Sequence, residues 1–462
     1  MNYISTRGQA PVLGFEDAMM TGLARDGGLY LPQFIPQMSR ADIAALQGVS
    51  YEEAAFRIMR PFIGDAFTEA EFQDIITRAY AGFDHAARAP LVQLDSGHFL
   101  LELFHGPTLA FKDFAMQLIG QLFEAALKRS GQRVCIVGAT SGDTGSAAIE
   151  AFRGLDAADV FILYPEGRVS EVQRRQMTTP AEANVHALAV EGHFDDCQAR
   201  VKGMFNDFAF RDSVGLAGVN SINWARVLAQ VVYYFTAAVS LGAPHRAVSF
   251  TVPTGNFGDV FAGYVARRMG LPIDRLVVAT NQNDILHRCL SGGEYRPSGV
   301  VPSISPSMDI QVSSNFERAL FHAYGQDGRA VAQLMDELAA GGFSVSQGAL
   351  EALREAFDSG VCNEDDTRAT IAGLWRTTGE LLCPHSAVGA KVAQEQRVPG
   401  TPMITLATAH PAKFPDAVAA ATGIRPPLPE RMSDLYERPE RITGVANDLA
   451  MLETLIKERT GN

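Results

Sequence analysis

The chain has 462 residues, 47% of them hydrophobic and 20% charged, with 42 glycines and 23 prolines, proportions that exclude a disordered or fibrous protein and suggest about two to four domains at roughly 150 residues each. A formal net charge of −13 with no run of Lys and Arg speaks against a nucleic-acid or anionic-membrane surface, so an anionic ligand must meet local, aimed donors. The scattered cysteines form no CxxC pair, the histidines show no metal-ligand spacing, and no signal segment follows Met1; a cytoplasmic protein without a metal is expected.

Residues 1–95 read mainly as helices, with amphipathic stretches over Glu16–Ala24, Tyr51–Phe62 and Thr68–Phe83 and turn signals such as Asp26-Gly27-Gly28 between them. This segment is expected to form an N-terminal cap on the remainder of the chain. From about His98 the pattern changes to short β-rich runs, Arg133–Val137, Val160–Tyr164, Val185–Val190, Ala247–Val252 and Leu276–Ala279, alternating with helical stretches such as Ser146–Phe152, Asp195–Phe208 and Trp224–Leu241. That alternation predicts βαβ units and mostly parallel sheet, with ligands at the strand ends. Val227–Pro244 carries no charge, but Gln230, Thr236 and Ser240 interrupt it, so a core helix is expected rather than a membrane span. Residues 303–395 read as largely helical, one more buried strand is expected at Pro402–Ala407 with a helix near Pro415–Ala421, and the tail from Arg425 ends in a helix near Asp448–Arg459. The division this suggests is a mostly helical segment over 1–95, an α/β domain over 96–245, a larger α/β domain over 246–427 and a tail over 428–462.

Two turns of small residues follow predicted strands and open predicted helices. One is Gly138-Ala139-Thr140-Ser141-Gly142-Asp143-Thr144-Gly145; the other is Pro253-Thr254-Gly255-Asn256-Phe257-Gly258-Asp259. Such turns present backbone N–H groups to a carboxylate or phosphate, although neither is a Walker A loop or a GxGxxG. Lysine is scarce, comprising Lys112, Lys128, Lys202, Lys391, Lys413 and Lys457. Lys128, Lys202 and Lys457 read as solvated. Lys112, in Phe104-His105-Gly106-Pro107-Thr108-Leu109-Ala110-Phe111-Lys112-Asp113-Phe114, is flanked by aromatics; it is either a desolvated amine with a lowered pKa or a lysine snorkelling beside Asp113.

The phrases HGPTLAFKDFA, SGDTGSAA and PTGNFGD, with Ala407-Thr408-Ala409-His410-Pro411-Ala412-Lys413-Phe414 near the end, resemble the threonine synthase family. Further matching phrases run from Ser5-Thr6-Arg7-Gly8 through Asn220–Arg226 to Met308–Arg318, so the likeness extends from residue 3 to about residue 416 and is to the longer, fungal- and proteobacterial-type branch. The resemblance implies an α/β protein with two parallel-sheet βαβ domains of the fold type II kind, a helical N-terminal cap, and pyridoxal 5′-phosphate as cofactor. Lys112 is then the Schiff-base lysine and catalytic proton shuttle. Gly255, Asn256, Phe257, Gly258 and Asp259 hold the cofactor phosphate, and Thr408 bonds the pyridine nitrogen. Ser141, Gly142, Asp143 and Thr144, with Lys413, are assigned to the substrate's carboxylate or phosphate. The turn departs from the wider fold type II pattern in having Asp143 where Asn is common, and an ionised Asp cannot donate to a ring oxygen.

The implied reaction turns O-phospho-L-homoserine and water into L-threonine and phosphate, a small-molecule reaction needing neither nucleic acid nor membrane, in a monomer or homodimer. A related outcome is a phospholyase giving 2-oxobutyrate, ammonia and phosphate; a non-catalytic module would have lost Lys112 or the phosphate turn. His105 is open between a general acid and a turn residue, and Asn220, Asn223 and Arg226 between pocket wall and helix anchor. Trp224 reads as core.

Overall fold

The structure, a computed structural model, describes residues 1–460. The β-rich runs become the strands of two parallel sheets. The larger sheet has six strands in the order Asp358–Val361, Ile273–Thr280, Val248–Pro253, Met403–Ala407, His98–Glu102 and Leu91–Gln93, parallel throughout except for the last pair. The smaller sheet runs Thr443–Val445, Val185–Val190, Ala158–Pro165, Val134–Ala139 and Leu216–Ala217, all parallel. The central strands are apolar and buried from end to end, as helices on both faces require.

Sheet membership does not follow the linear segments. His98–Glu102 pairs with Met403–Ala407, so it belongs to the larger sheet although it lies within 96–245. The tail is equally committed elsewhere: Thr443–Val445 forms an edge of the smaller sheet and Leu449–Thr460 packs Leu452 and Ile456 into the smaller sheet's core. These strands are short and partly polar, so periodicity marks them weakly.

Helices build the walls. The uncharged stretch is the core helix Trp224–Ser240, buried almost throughout, and among the described residues no helix is long and apolar enough to cross a membrane. Lys112–Ser130 packs on Asp143–Phe152, on Glu69–Tyr80 and on the core helix. Gly120 permits the first of these contacts, because a Cβ there would stand 2.4 Å from the Ala151 carbonyl oxygen. The N-terminal cap helices Tyr51–Ile63 and Glu69–Tyr80 begin at Ser50 and Thr68, whose hydroxyls accept from the third helical N–H. The cap is tied down by Glu317, which accepts from Thr6 Oγ1 at 2.6 Å and from Arg7 through two bonds of 3.1 Å.

Candidate active site

Four strands point their carboxyl ends at one place. The loop after His98–Glu102 leads to Lys112; the turn after Val134–Ala139 holds Ser141–Thr144; the turn after Val248–Pro253 holds Gly255–Gly258; and Thr408 follows Met403–Ala407. An open α/β sheet gathers ligands at such strand ends.

Lys112 opens its helix, so its amine stands at the positive end of a 19-residue dipole. Its side chain is 12% exposed, with Nζ 4.6 Å from the Phe111 ring centroid. Burial drives its pKa down, Asp143 opposes this, and Arg226 and Lys413 push it down further. It does not snorkel beside Asp113. That carboxylate turns back to accept from Thr108 N at 2.8 Å and Thr108 Oγ1 at 2.6 Å, which folds the HGPT turn onto the helix start. Leu109 in this turn has φ +65°, a strained conformation for a branched residue, and packs against Val172, Met432 and Leu435. Arg431 donates to the Gly106 carbonyl at 2.6 Å. The tail therefore braces the lysine loop.

In the turn after Val248–Pro253, the backbone N–H groups of Gly255, Asn256, Phe257 and Gly258 have no acceptor among the described residues, and the helix Gly258–Arg268 begins there. A row of free N–H groups at a helix start forms a cradle suited to a phosphate or carboxylate. Phe257 adopts φ +63° and is held in it by edge contacts with Phe316 and Phe357. Gly255 has no room for a side chain: a Cβ would lie 2.7 Å from the Ser307 carbonyl oxygen. Gly255→Ala is therefore expected to weaken phosphate-ester binding about tenfold or more by displacing this cradle, at the scale of one lost charge-assisted hydrogen bond; cofactor titration followed by fluorescence checks it. Asp259 ends the turn with its side chain engaged by the core helix. Its carboxylate accepts from Tyr233 at 2.6 Å and Tyr234 at 2.9 Å, and burial pushes its pKa up to about 6 against those bonds.

The turn after Val134–Ala139 is a second cradle. Thr140 Oγ1 accepts from Gly142 N at 2.9 Å and Gly145 N at 2.8 Å, which fixes the loop, while the N–H groups of Ser141, Asp143 and Thr144 have no acceptor among the described residues. Asp143 faces inward. Its Oδ1 lies 2.9 Å from Lys413 Nζ and accepts from Gln173 Nε2 at 2.9 Å, and its Oδ2 lies 3.8 Å from Lys112 Nζ. Burial would raise its pKa, but Lys413, Lys112 and His385 outweigh that and hold it well below the usual carboxylate range. Lys413 is fully buried and also donates to the Thr108 carbonyl at 2.7 Å. It is thus bound to Asp143 rather than standing as a free cation for a ligand phosphate.

Thr408 is buried; its N–H donates to Ser386 Oγ at 3.0 Å, whereas its hydroxyl has no partner among the described residues. His105 is engaged with Glu102 at 2.8 Å and Asp84 at 3.2 Å, the turn reading rather than the acid. Asn223 caps the core helix and bonds the Met19 and Gly218 carbonyls; Asn220 is exposed. Arg226 is buried near Lys112, with its Nε unpartnered. Thr140, Gln173, Ser386 and His385 escape a sequence-based assignment of site roles. Thr140 lies inside a turn that the sequence marks only as a whole, and the other three are lone polar residues whose partners in the site are 22 or more positions away, so no spacing marks them.

A buried amine of lowered pKa, a cradle of free N–H groups that excludes a side chain at Gly255, and an unpartnered hydroxyl at a strand end suit an aldehyde, a phosphate and a ring nitrogen, the polar groups of pyridoxal 5′-phosphate. Comparison with known proteins agrees. Residues 2–80 match the family described as threonine synthase N terminus, residues 83–333 pyridoxal-phosphate dependent enzyme, and residues 386–456 threonine synthase, C-terminal. The chain is 54% identical over 461 residues to threonine synthase of Pseudomonas aeruginosa, covering 99% of this chain and 98% of the relative. It is 41% identical over 500 residues to threonine synthase of Saccharomyces cerevisiae, covering 99% and 97%. The crystal structure of pyridoxal-phosphate-bound threonine synthase from Brucella melitensis superposes with a TM-score of 0.97 at 58% identity, with full coverage of both chains. The chain belongs to the threonine synthase family of pyridoxal-phosphate-dependent, fold type II enzymes.

Proposed function

We propose that this chain converts O-phospho-L-homoserine and water to L-threonine and inorganic phosphate, with Lys112 as the residue that carries the cofactor aldehyde and moves the protons. The observation that carries the residue assignment is a largely buried amine at the head of a helix that, unlike that of Lys413, is not committed to a close ion pair and faces the two turns of free N–H groups. Gly255, Asn256, Phe257 and Gly258 hold the cofactor phosphate through their backbone, and Thr408 Oγ1 meets the ring nitrogen. When bound, pyridoxal phosphate supplies an electron sink that makes the substrate's α and β hydrogens removable.

The rest is the work of side chains. Ser141, Gly142, Asp143 and Thr144 shape the pocket for the substrate's anionic ends, through the free N–H groups of Ser141, Asp143 and Thr144 and the hydroxyls of Ser141 and Thr144. Lys112 Nζ, once free, takes protons at the substrate's α and β carbons and returns them. The bond from Cγ to the phosphate oxygen breaks, the hydroxyl of water joins Cβ, the protons taken from Cα and Cβ are delivered to Cα and Cγ, and the remaining proton of water leaves with the phosphate. Asp143, 3.8 Å away, steadies the ammonium that Lys112 becomes, while Lys413 tempers that pull so that the proton can leave again. The free, buried cysteines fit a cytoplasmic setting, and a monomer or homodimer serves the chemistry equally.

Incubation with O-phospho-L-homoserine, with products resolved by chromatography, tests this. Threonine and phosphate in equal amounts are expected; 2-oxobutyrate and ammonia as the main products would replace the synthase reading with a phospholyase.

A further inference from the structure

His385 takes no part in the proposed proton transfers, yet it borders the same site. It is the second residue of the helix Pro384–Gln396 and only 3% exposed. Its Nε2 accepts the Ser307 N–H at 3.1 Å, which leaves the ring proton on Nδ1. That Nδ1–H is buried without a hydrogen-bond partner. A buried donor left unpaired is costly, and native proteins keep few of them. Asp143, Lys112 and Lys413 are the charges it senses, and burial drives its pKa down to about 4, so the ring is neutral at working pH. Its neighbour Ser386 accepts the Thr408 N–H.

The geometry points to His385 Nδ1–H as the hydrogen-bond donor to the oxygen on the cofactor's pyridine ring. This inference rests on the proposed cofactor assignments of Lys112 and Thr408. In pyridoxal phosphate that oxygen is carried by the carbon next to the aldehyde-bearing one, on the ring edge that leads to the nitrogen and away from the phosphate arm. It therefore lies between the groups given to Lys112 and Thr408; His385 senses the Lys112 charge, and Ser386 beside it holds the Thr408 N–H. Asp143 is also near but is ionised and already accepts from Lys413 and Gln173, so it has no proton to give. Arg226 also has an unpartnered Nε and is near Lys112, but its other neighbours are the Val219 carbonyl and Tyr233, and Tyr233 holds Asp259 beside the phosphate turn, away from the Thr408 end of the ring.

Two substitutions separate this role from a structural one. The amide of His385→Asn reproduces the Nδ1 position, and that of His385→Gln reproduces the Nε2 position. As a ring-oxygen donor, His385→Gln keeps the Ser307 bond but loses the donor, so cofactor dissociation, measured by titrating the stripped full-length protein with pyridoxal phosphate, weakens about tenfold or more and the visible band shifts. His385→Asn stays within about threefold of the parent. The reverse order would show that His385 serves only to hold Ser307, and would overturn the inference. So would an unchanged cofactor affinity and band with a raised KM for O-phospho-L-homoserine, because the acceptor would then be the substrate. Should both variants fail to fold by circular dichroism, nitrogen-15 NMR of the parent protein decides: a histidine Nδ1 proton signal that moves downfield on cofactor addition supports the donor, and one that stays put refutes it. Failure of the parent protein to bind pyridoxal phosphate would instead strike the cofactor assignments themselves.

Discussion

Lys112→Ala is expected to lower turnover by about a thousandfold or more, the scale of a lost proton-transferring group, while leaving the fold intact. The side chain is at the edge of the core rather than within it: its amine lies over the Phe111 ring and 3.8 Å from Asp143, with the side chain still 12% exposed, so truncation opens no large apolar cavity. Loss of the amine removes both the covalent hold on the aldehyde and the group that moves protons at the α and β carbons. The purified variant should retain its thermal transition and lose the visible absorbance of the parent. Steady-state assay of phosphate release measures the first effect. A variant that keeps a tenth of the parental turnover would deny Lys112 both duties.

The second large effect is on stability. Lys413→Met is expected to cost about 3–5 kcal/mol, because it strips the partner from a carboxylate that is itself buried. Asp143 is 4% exposed and Lys413 fully buried; without the ammonium, Asp143 keeps only Gln173 and a longer contact to Lys112. The pH dependence has a definite sign. In the parent protein the folded pKa of Asp143 lies below its unfolded value of about 3.9, so the pair contributes fully above about pH 4 and fades only as pH falls further. In the variant, burial without the ammonium raises the Asp143 pKa, and the penalty shrinks as acid protonates it. Urea unfolding at two pH values reads this. Adding Asp143→Asn to Lys413→Met should recover most of the loss, since the stranded charge goes with it. A penalty below about 1 kcal/mol, or no recovery in the double variant, would mean that the two groups are not coupled.

Much of this arrangement is legible in the amino-acid sequence where the signal is local. The apolar runs around Ile136, Ile162 and Phe250 announce buried parallel strands, and the two small-residue turns announce places where backbone N–H groups face a ligand. Lys112 stands out because so few lysines compete with it. What the sequence hides is long-range. Nothing near Asp143 says that its carboxylate pairs with Lys413, 270 positions later (413 − 143), and that pairing turns an apparent substrate-binding lysine into a structural counter-ion. Asp259 is legible as the end of the second small-residue turn, but the bonds its carboxylate accepts from Tyr233 and Tyr234, 26 and 25 positions away, are not. The strands His98–Glu102 and Thr443–Val445 escape the pattern because they are short, and an edge strand of residues Thr, Gly and Val carries little periodicity. His385 is a lone histidine whose importance depends on which of its nitrogens is already occupied, a property of the fold alone.

The most direct measurement is borohydride reduction of the purified, cofactor-loaded protein, followed by peptide mapping by mass spectrometry. A violet-absorbing band that disappears on reduction, with one pyridoxyl group on the peptide containing Lys112, is the predicted result. A colourless protein after incubation with pyridoxal phosphate, or the label on Lys413 or another lysine, would contradict it.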